Sequence, residues 1–313
     1  MNVRSLWRRA PTTGVIFVLL ATLWGGSFVA IEAGVKEWPP LLFAAVRYDL
    51  AGALVLGGAV LRRGRVLPRT GRDFVAISSV AVFVIFAHHA LLYVGQETVP
   101  GPVASAVVAL SPVVTALLAP HVLDAGGLGP VQYAGVAVGF LGVVAVTDPG
   151  SAGGIPATGT LLVFGATVAF ALGTILLRRV RPTVSAASLQ GWGMVTGALL
   201  LHGGSRVLGE SQAVAVSPTG LATLAFLVVG PGVIAFVLYF RLLDSVGATR
   251  TMLVGYLEPI AAAGLSFALF GYVPTDGAVV GFLLVLGGFA LVEGHALRDA
   301  AGGAVGRLRA ALP

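Results

Sequence analysis

The sequence predicts an all-α integral membrane protein with ten transmembrane helices in two inverted five-helix repeats. Three observations carry this: a surplus of apolar residues, unbroken apolar runs of membrane-spanning length, and arginines that cluster between alternate runs. Of 313 residues, 57% are hydrophobic and only 10% charged, with mean hydropathy +0.96 and 44 glycines. Soluble domains carry roughly a quarter charged residues, and one core could not bury this much apolar surface. A membrane helix needs about 20 apolar residues, so ten helices leave little for loops and no room for a soluble enzyme domain.

The apolar runs fall at 14–34, 40–61, 74–96, 101–121, 128–147, 159–178, 187–204, 218–243, 251–271 and 277–296. Their continuity disfavours a barrel, whose strands alternate over about ten residues. Arg4, Arg8 and Arg9 before the first run give the outline of a signal peptide. That run continues to Gly34, and Trp24 interrupts the place where small cleavage-site residues belong, so it is expected to remain as the first helix.

Basic residues set the orientation. Arg4, Arg8, Arg9, Arg62, Arg63, Arg65, Arg69 and Arg72 fall to one side with Arg178, Arg179, Arg181, Arg241, Arg250, Arg298, Arg307 and Arg309. Only Lys36 and Arg206 fall opposite, and Arg47 lies inside a span. This excess places both termini in the cytoplasm of a multi-pass cell-membrane protein. The net charge of +6 and pI near 10.3 thus reflect membrane orientation, and no nucleic-acid partner is expected. With no cysteine, disulfides, thiolate chemistry and cysteine metal sites are excluded; no metal or other cofactor is expected.

A Gly/Pro/Ser-rich loop divides the chain. The expected organisation is a cytoplasmic tail at 1–13, a first repeat at 14–147 and an extracellular linker at 148–158. A second repeat at 159–296 and a cytoplasmic tail at 297–313 follow. A weak internal match supports the division. At an offset of 147, Glu97 matches Asp244 and Ser111-Pro112 matches Glu258-Pro259; at 146, Gly135 and Gly142 match Gly281 and Gly288. Glycine coincidences are cheap in this composition, so the acids and prolines carry the match. Five helices per half put the second half in the opposite orientation, a signature of secondary transporters with a midplane site.

Leu23-Trp24-Gly25-Gly26-Ser27-Phe28, Ala45-Val46-Arg47-Tyr48, Ser111 through Ala119, Gly135 through Val144, Glu258-Pro259 and Gly281 through Gly288 occur in order. Together they resemble the EamA family of the drug/metabolite transporter superfamily over residues 14–296. The resemblance implies two inverted five-helix repeats, cytoplasmic termini and a central cavity lined mainly by helices 1, 3, 4, 6, 8 and 9. It also implies carriers of small metabolites, often exporters of amino acids or related compounds. The family's Gly-Glu at the end of each repeat's fourth helix is replaced by Asp124-Ala125 and Gly271-Tyr272, which removes that glutamate from consideration.

Polar groups at membrane depth are the candidates for substrate binding or cavity lining. Arg47 and Asp49, spaced i, i+2, point to opposite faces and need separate partners. They either lock helix 2 into the bundle, or Arg47 anchors a substrate carboxylate. His88 and His89 lie about 100° apart and cannot share a metal from one face; His89, Tyr93 and Gln96 form a polar stripe. Pro112, Pro231 and Pro259 break their helices and free the carbonyls of Val108, Leu227 and Gly255. Such carbonyls need another partner or a wet cavity. Glu258 stands beside one break as a proton or cation site, or as a partner for Arg241 or Arg250; Ser111 mirrors it. Trp24, Tyr239 and Tyr256 either stack on substrate or pack. Gly135-x-x-x-Gly139 and Gly193-x-x-x-Gly197 read as close helix packing.

The leading reading is a secondary carrier working by alternating access on a small-molecule substrate, with a coupling proton or cation as a further partner besides the lipid bilayer. Oligomeric state is not specified. No P-loop GxxxxGK[ST] occurs, so ATP hydrolysis has no support. The chain lacks His-Glu-x-x-His, and Gly25-Gly26-Ser27-Phe28 lacks the glycine a serine protease elbow requires. It is therefore not read as an enzyme; a non-transporting scaffold or sensor is the main alternative.

Overall fold

The computed structural model describes residues 3–61, 65–123, 127–148, 154–213, 216–247, 251 and 253–294, with side chains from residue 13 onward. Among the described residues there are helices and loops and no strand. Among the described residues ten long helical runs follow one another: α1 (Val3–Gly34), α2 (Pro40–Leu61), α3 (Gly71–Gly95), α4 (Gly101–Val122) and α5 (Pro130–Thr147). Then come α6 (Ala157–Arg179), α7 (Ala186–Val207), α8 (Pro218–Val246), α9 (Val254–Phe270) and α10 (Asp276–Val292). Seven have the length and apolarity to cross a membrane, namely the part of α1 from Thr13 onward, α2 to α6, and α8.

Local sequence explains the ends. Thr70 and Asp73 form a reciprocal capping box that starts α3. Ser185, Ser217 and Thr275 cap α7, α8 and α10, each accepting a backbone N–H three residues on. Proline at the first turn of α4, α5 and α8 removes a donor that would have no partner there. Three boundaries depart from expectation. Helix α1 begins at Val3, so the basic lead-in continues the helix instead of forming a separate tail. Helices α9 and α10 are shorter than the apolar runs at 251–271 and 277–296; Gly271 at φ 68° ends α9, because a left-handed residue stops the ladder.

Two helices are not uniformly α. Residues Val80–Ala87 of α3 and Gly230–Ile234 of α8 adopt π-helical turns. Gly230-Pro231-Gly232 signals the second. The first, in a run of Val, Ala, Phe and Ile, carries no Gly or Pro and was not legible in sequence. The α3 and α8 segments overlap under the same offset of 147 that relates Ser111 to Glu258.

Packing reveals how the halves meet. Helix α5 lies on α10, and α2 on α7. The pairs α1–α9, α1–α8 and α2–α8 have their counterparts in α6–α4, α6–α3 and α7–α3. Exchanging the halves therefore maps these neighbours onto themselves. Equivalent helices run antiparallel: a methyl at Gly135 would lie 2.7 Å from the Gly288 carbonyl oxygen, and one at Gly142 would lie 2.7 Å from that of Gly281. The reciprocal distances, from Gly281 to the Gly142 oxygen and from Gly288 to the Gly135 oxygen, are 2.5 and 2.6 Å. The glycine matches that carry little weight in sequence thus form a backbone-to-backbone seam between the two halves. Gly193 and Gly197 likewise admit Val80 and Ile85 of α3 at 2.4 Å, as the small-xxx-small pattern predicts.

Loops at both ends bind one half to the other. At the arginine-rich end, the Asp73 carboxylate accepts the backbone N–H groups of Arg69, Thr70, Thr183 and Val184 and the Thr183 hydroxyl, at 2.6–3.2 Å. The Ser185 N–H and Trp192 indole donate to the carbonyls of Arg65 and Val66 beside it. At the other end, the Glu210 carboxylate accepts from Leu41 and Leu42, both at 3.0 Å, capping the start of α2. In each case a carboxylate near the second or third helix of one repeat holds the entry to the second helix of the other.

Candidate functional site

The candidate residues assemble into two groups. The first joins α2 to α3, about 10 Å below the start of α2 at 1.5 Å per residue. Arg47 is 5% exposed and donates through Nη1 to the Tyr93 hydroxyl at 2.8 Å. Its guanidinium carbon lies 4.8 Å from the centre of the Tyr48 ring. The Tyr48 hydroxyl meets His89 Nε2, while His89 Nδ1 faces the carbonyls of Val84 and Ile85, each at 3.1 Å. Carbonyls only accept, so Nδ1 carries the hydrogen and Nε2 accepts the hydrogen bond that the Tyr48 hydroxyl donates. Both carbonyls belong to the π segment, which explains how an apolar stretch comes to hold a histidine.

His88 turns the other way. Its Nδ1 donates to the Ala166 carbonyl of α6 at 2.9 Å, and its ring lies 5.4 Å from that of Phe170. The adjacent histidines thus serve different helices, as their angular separation requires. Gln96, third in the polar stripe, donates to the Phe28 carbonyl at 2.8 Å, and its Oε1 is buried without a partner. Nearby, Glu32 accepts the Gly101 N–H at 2.7 Å and pairs with Lys36 at 3.3 Å. A methyl at Gly101 would come within 2.8 Å of the Phe28 carbonyl oxygen, so α1 and α4 meet backbone to backbone here.

The second group lies between α1, α8, α9 and α10, on the arginine-rich side. Trp24 packs against Tyr239 and Phe236 of α8, with ring centres 5.5 and 6.2 Å apart. One residue on, Gly25 meets α9: a methyl there would lie 2.4 Å from the Glu258 carbonyl oxygen. Glu258 stands about 6 Å inside α9 at the helical rise, and its carboxylate has no hydrogen-bond or ion-pair partner among the described residues. Of the two alternative partners, Arg241 makes no ion pair with it, and Arg250 lies outside the described residues. Tyr256 stacks on Phe289 of α10 at 3.9 Å, leaving its hydroxyl buried and unpartnered.

Other candidates are structural in this conformation. The Ser111 hydroxyl donates to the Val108 carbonyl at 2.5 Å, the oxygen that Pro112 deprives of its usual donor. Pro231 sits in the π turn of α8, and a methyl at the following Gly232 would lie 2.9 Å from the Leu227 oxygen. Pro259 is buried within α9. Asp49 pairs with His202 of α7 at 2.7 Å, so it and Arg47 do find separate partners. Sequence reasoning missed Tyr48, Glu32 and His202; each lies at a helical face whose partner only the tertiary structure reveals. No cluster of three or more His, Asp or Glu able to hold a metal occurs among the described residues.

The two-fold pattern is broken at one place. Helix α3 packs on α2, and α4 on α1, α5 and α10. The counterparts α8 with α7, and α9 with α5, make no comparable backbone approach among the described residues, and α9 meets α10 through the Tyr256–Phe289 ring stack without one. The first group of residues therefore sits in a sealed half of the bundle, and the second in a loosened one.

Comparisons with known proteins agree with this architecture. The model of the EamA-like transporter family matches the chain twice, at residues 12–147 and 157–293. The uncharacterized inner membrane transporter YedA of Escherichia coli K12 is 26% identical over 264 residues, 83% of each chain. An uncharacterized transporter of Archaeoglobus fulgidus is 24% identical over 282 residues, covering 89% of this chain and 96% of its own. A crystal structure of a protein with 21% identity superposes over 92% of this chain and 98% of its own, with TM-score 0.64, and shares the fold.

Proposed function

Because the chain belongs to the EamA-like transporter family of the drug/metabolite transporter superfamily, we propose that it is a secondary carrier of a small metabolite working by alternating access. All ten helices cross the cell membrane, the repeats are inverted, and the arginine-rich end with both termini is cytoplasmic. The substrate is an amino acid or related compound moved outward. One observation supports the reading most: equivalent helices pair antiparallel across a two-fold pattern that fails where α3 and α4 are sealed and α8 and α9 are not. A carrier alternates by exchanging those two roles between repeats. On this reading the arginine-rich end, where α8 and α9 are less closely packed, is the one poised to open.

Glu258 is the coupling group in this account. It is a carboxylate without a partner among the described residues, beside the backbone contact of α1 with α9, where a proton or cation could bind in exchange for substrate. The clasps at Asp73 and Glu210 are closed at both ends together and so act as fixed joints between the repeats.

The test is flux in proteoliposomes of any compound that stabilises the purified protein. Unlabelled compound loaded inside should accelerate uptake of the labelled one, since return of an occupied carrier is faster than that of an empty one. Flux without such acceleration indicates a channel; binding without flux indicates a sensor or scaffold. Either result overturns the proposal.

A further inference from the structure

Arg47 is a buried cation without a counter-ion, which among the charged groups of its half sets it apart from Asp49, Glu32 and Asp73. Asp49 has His202, Glu32 has the Gly101 N–H and Lys36, and Asp73 has the N–H groups of two backbone segments. Arg47 is 5% exposed, and no carboxylate among the described residues lies within ion-pair distance. Its one hydrogen bond goes to a neutral hydroxyl, its Nε is buried without a partner, and its flat face rests on Tyr48. A helix lock would be built differently: a cation in low dielectric is held by an anion or by a full set of acceptors, because its desolvation otherwise costs several kcal/mol. Here the fork is oriented by two tyrosines and left uncompensated.

We propose that Arg47 is the substrate's counter-ion, and that the transported compound carries a carboxylate which docks on its Nε and Nη edge. The proposal rests on the carrier reading and names its substrate class. Tyr93 holds Nη1 and Tyr48 fixes the plane of the guanidinium, so the Nε and Nη2 edge is left as a preset bidentate partner for a planar carboxylate. In the sealed half the Nε edge lies between α2 and α3. The contact that must part to admit the carboxylate is the one whose counterpart, α7 with α8, is already loose. His88 offers a second feature: with Nδ1 committed to Ala166, its Nε2 has no partner among the described residues.

The experiment is thermal stabilisation of the detergent-purified protein by matched pairs differing only in the carboxylate. Suitable pairs are leucine and leucinamide, phenylalanine and its amide, lactate and lactamide, and succinate and succinamide. The expected result is stabilisation by at least one acid and none by its amide. Arg47→Gln should weaken the effective acid at least about 30-fold, the scale of truncating one partner of a desolvated charge pair. Arg47→Lys should keep the preference for acid over amide with reduced affinity, and Tyr93→Phe, which leaves the guanidinium in place, should keep or tighten binding. Should the Gln variant fail to fold, the Lys and Phe variants still decide the matter. Equal stabilisation by acid and amide, or acid binding unchanged in Arg47→Gln, overturns the assignment. If only neutral or cationic compounds bind and are transported, the assignment falls and the carrier reading stands. No stabilisation by any acid also overturns it.

Discussion

Replacing Gly288 by alanine should destabilise the protein, whereas the same change at Gly287 should not. In a helix, Gly→Ala ordinarily stabilises by about 1 kcal/mol. At Gly287 the nearest atom to an added methyl is Val138 Cγ1 at 4.0 Å, so that gain should appear nearly whole. At Gly288 the methyl would lie 2.6 Å from both the Gly135 oxygen and the Gly139 nitrogen. These are backbone atoms of α5 and cannot rotate away. Restoring a van der Waals separation of about 3.5 Å requires the helices to part by about 0.9 Å. Overpacking of this kind costs about 1–3 kcal/mol, and the rigid partner argues for the upper part of that range. Net destabilisation of about 1–2 kcal/mol is expected. Thermal unfolding of the two purified variants in one detergent measures it. Shifts of the same sign at the two neighbours would refute both the seam and the register of the halves.

The two-fold relation extends this: Gly135→Ala, Gly142→Ala and Gly281→Ala meet partner backbone at 2.4–2.7 Å and should cost similar amounts in the same assay. Asp73→Asn should lower stability by about 2 kcal/mol, since an amide nitrogen cannot accept the N–H groups of Thr183 and Val184, and unfolding curves at neutral pH would check it. Partial burial and the neighbouring Glu210 raise the Glu97 carboxyl above the usual carboxylate range. The folded state then binds that proton more tightly than the unfolded state does. The stability it contributes is complete below the ordinary carboxylate pKa and is lost as pH rises through the raised value. Glu97→Gln should flatten the pH dependence of the melting temperature in that window. Glu258→Gln should abolish the pH dependence of transport while leaving substrate-induced stabilisation; unchanged pH dependence with intact expression would contradict the coupling role.

Much of the architecture was legible because lipid imposes simple rules. The apolar runs correspond to the ten long helical runs among the described residues, and the Ser111-Pro112 and Glu258-Pro259 match falls in the two segments that the family model matches. Separate partners for Arg47 and Asp49 followed from helical geometry alone. The π segment at Val80–Ala87 was not legible, because its register shift is held by His89 reaching back to two carbonyls and no local residue type announces it. The clasp at Asp73 was hidden for a similar reason: its capping box is local, but Thr183 and Val184 arrive from the other repeat. The glycine seam was present in the sequence yet could not be separated from composition until the antiparallel contact gave each glycine a partner. Tyr48 carries no mark of its role apart from lying next to Arg47.

Alternation between the repeats is the central claim, and the cysteine-free chain suits a direct test. Spin labels on cysteines at Lys36 and Thr98 report the sealed end, and labels at Arg181 and Ser245 report the equivalent positions in the other repeat; all four residues are exposed. Distances measured by pulsed electron resonance in lipid nanodiscs, across a pH series and with a stabilising compound, should be anticorrelated. A shift of the Lys36–Thr98 pair to longer distances should accompany a shift of the Arg181–Ser245 pair to shorter ones. Distances that stay fixed under every condition, or that lengthen together, would contradict the account.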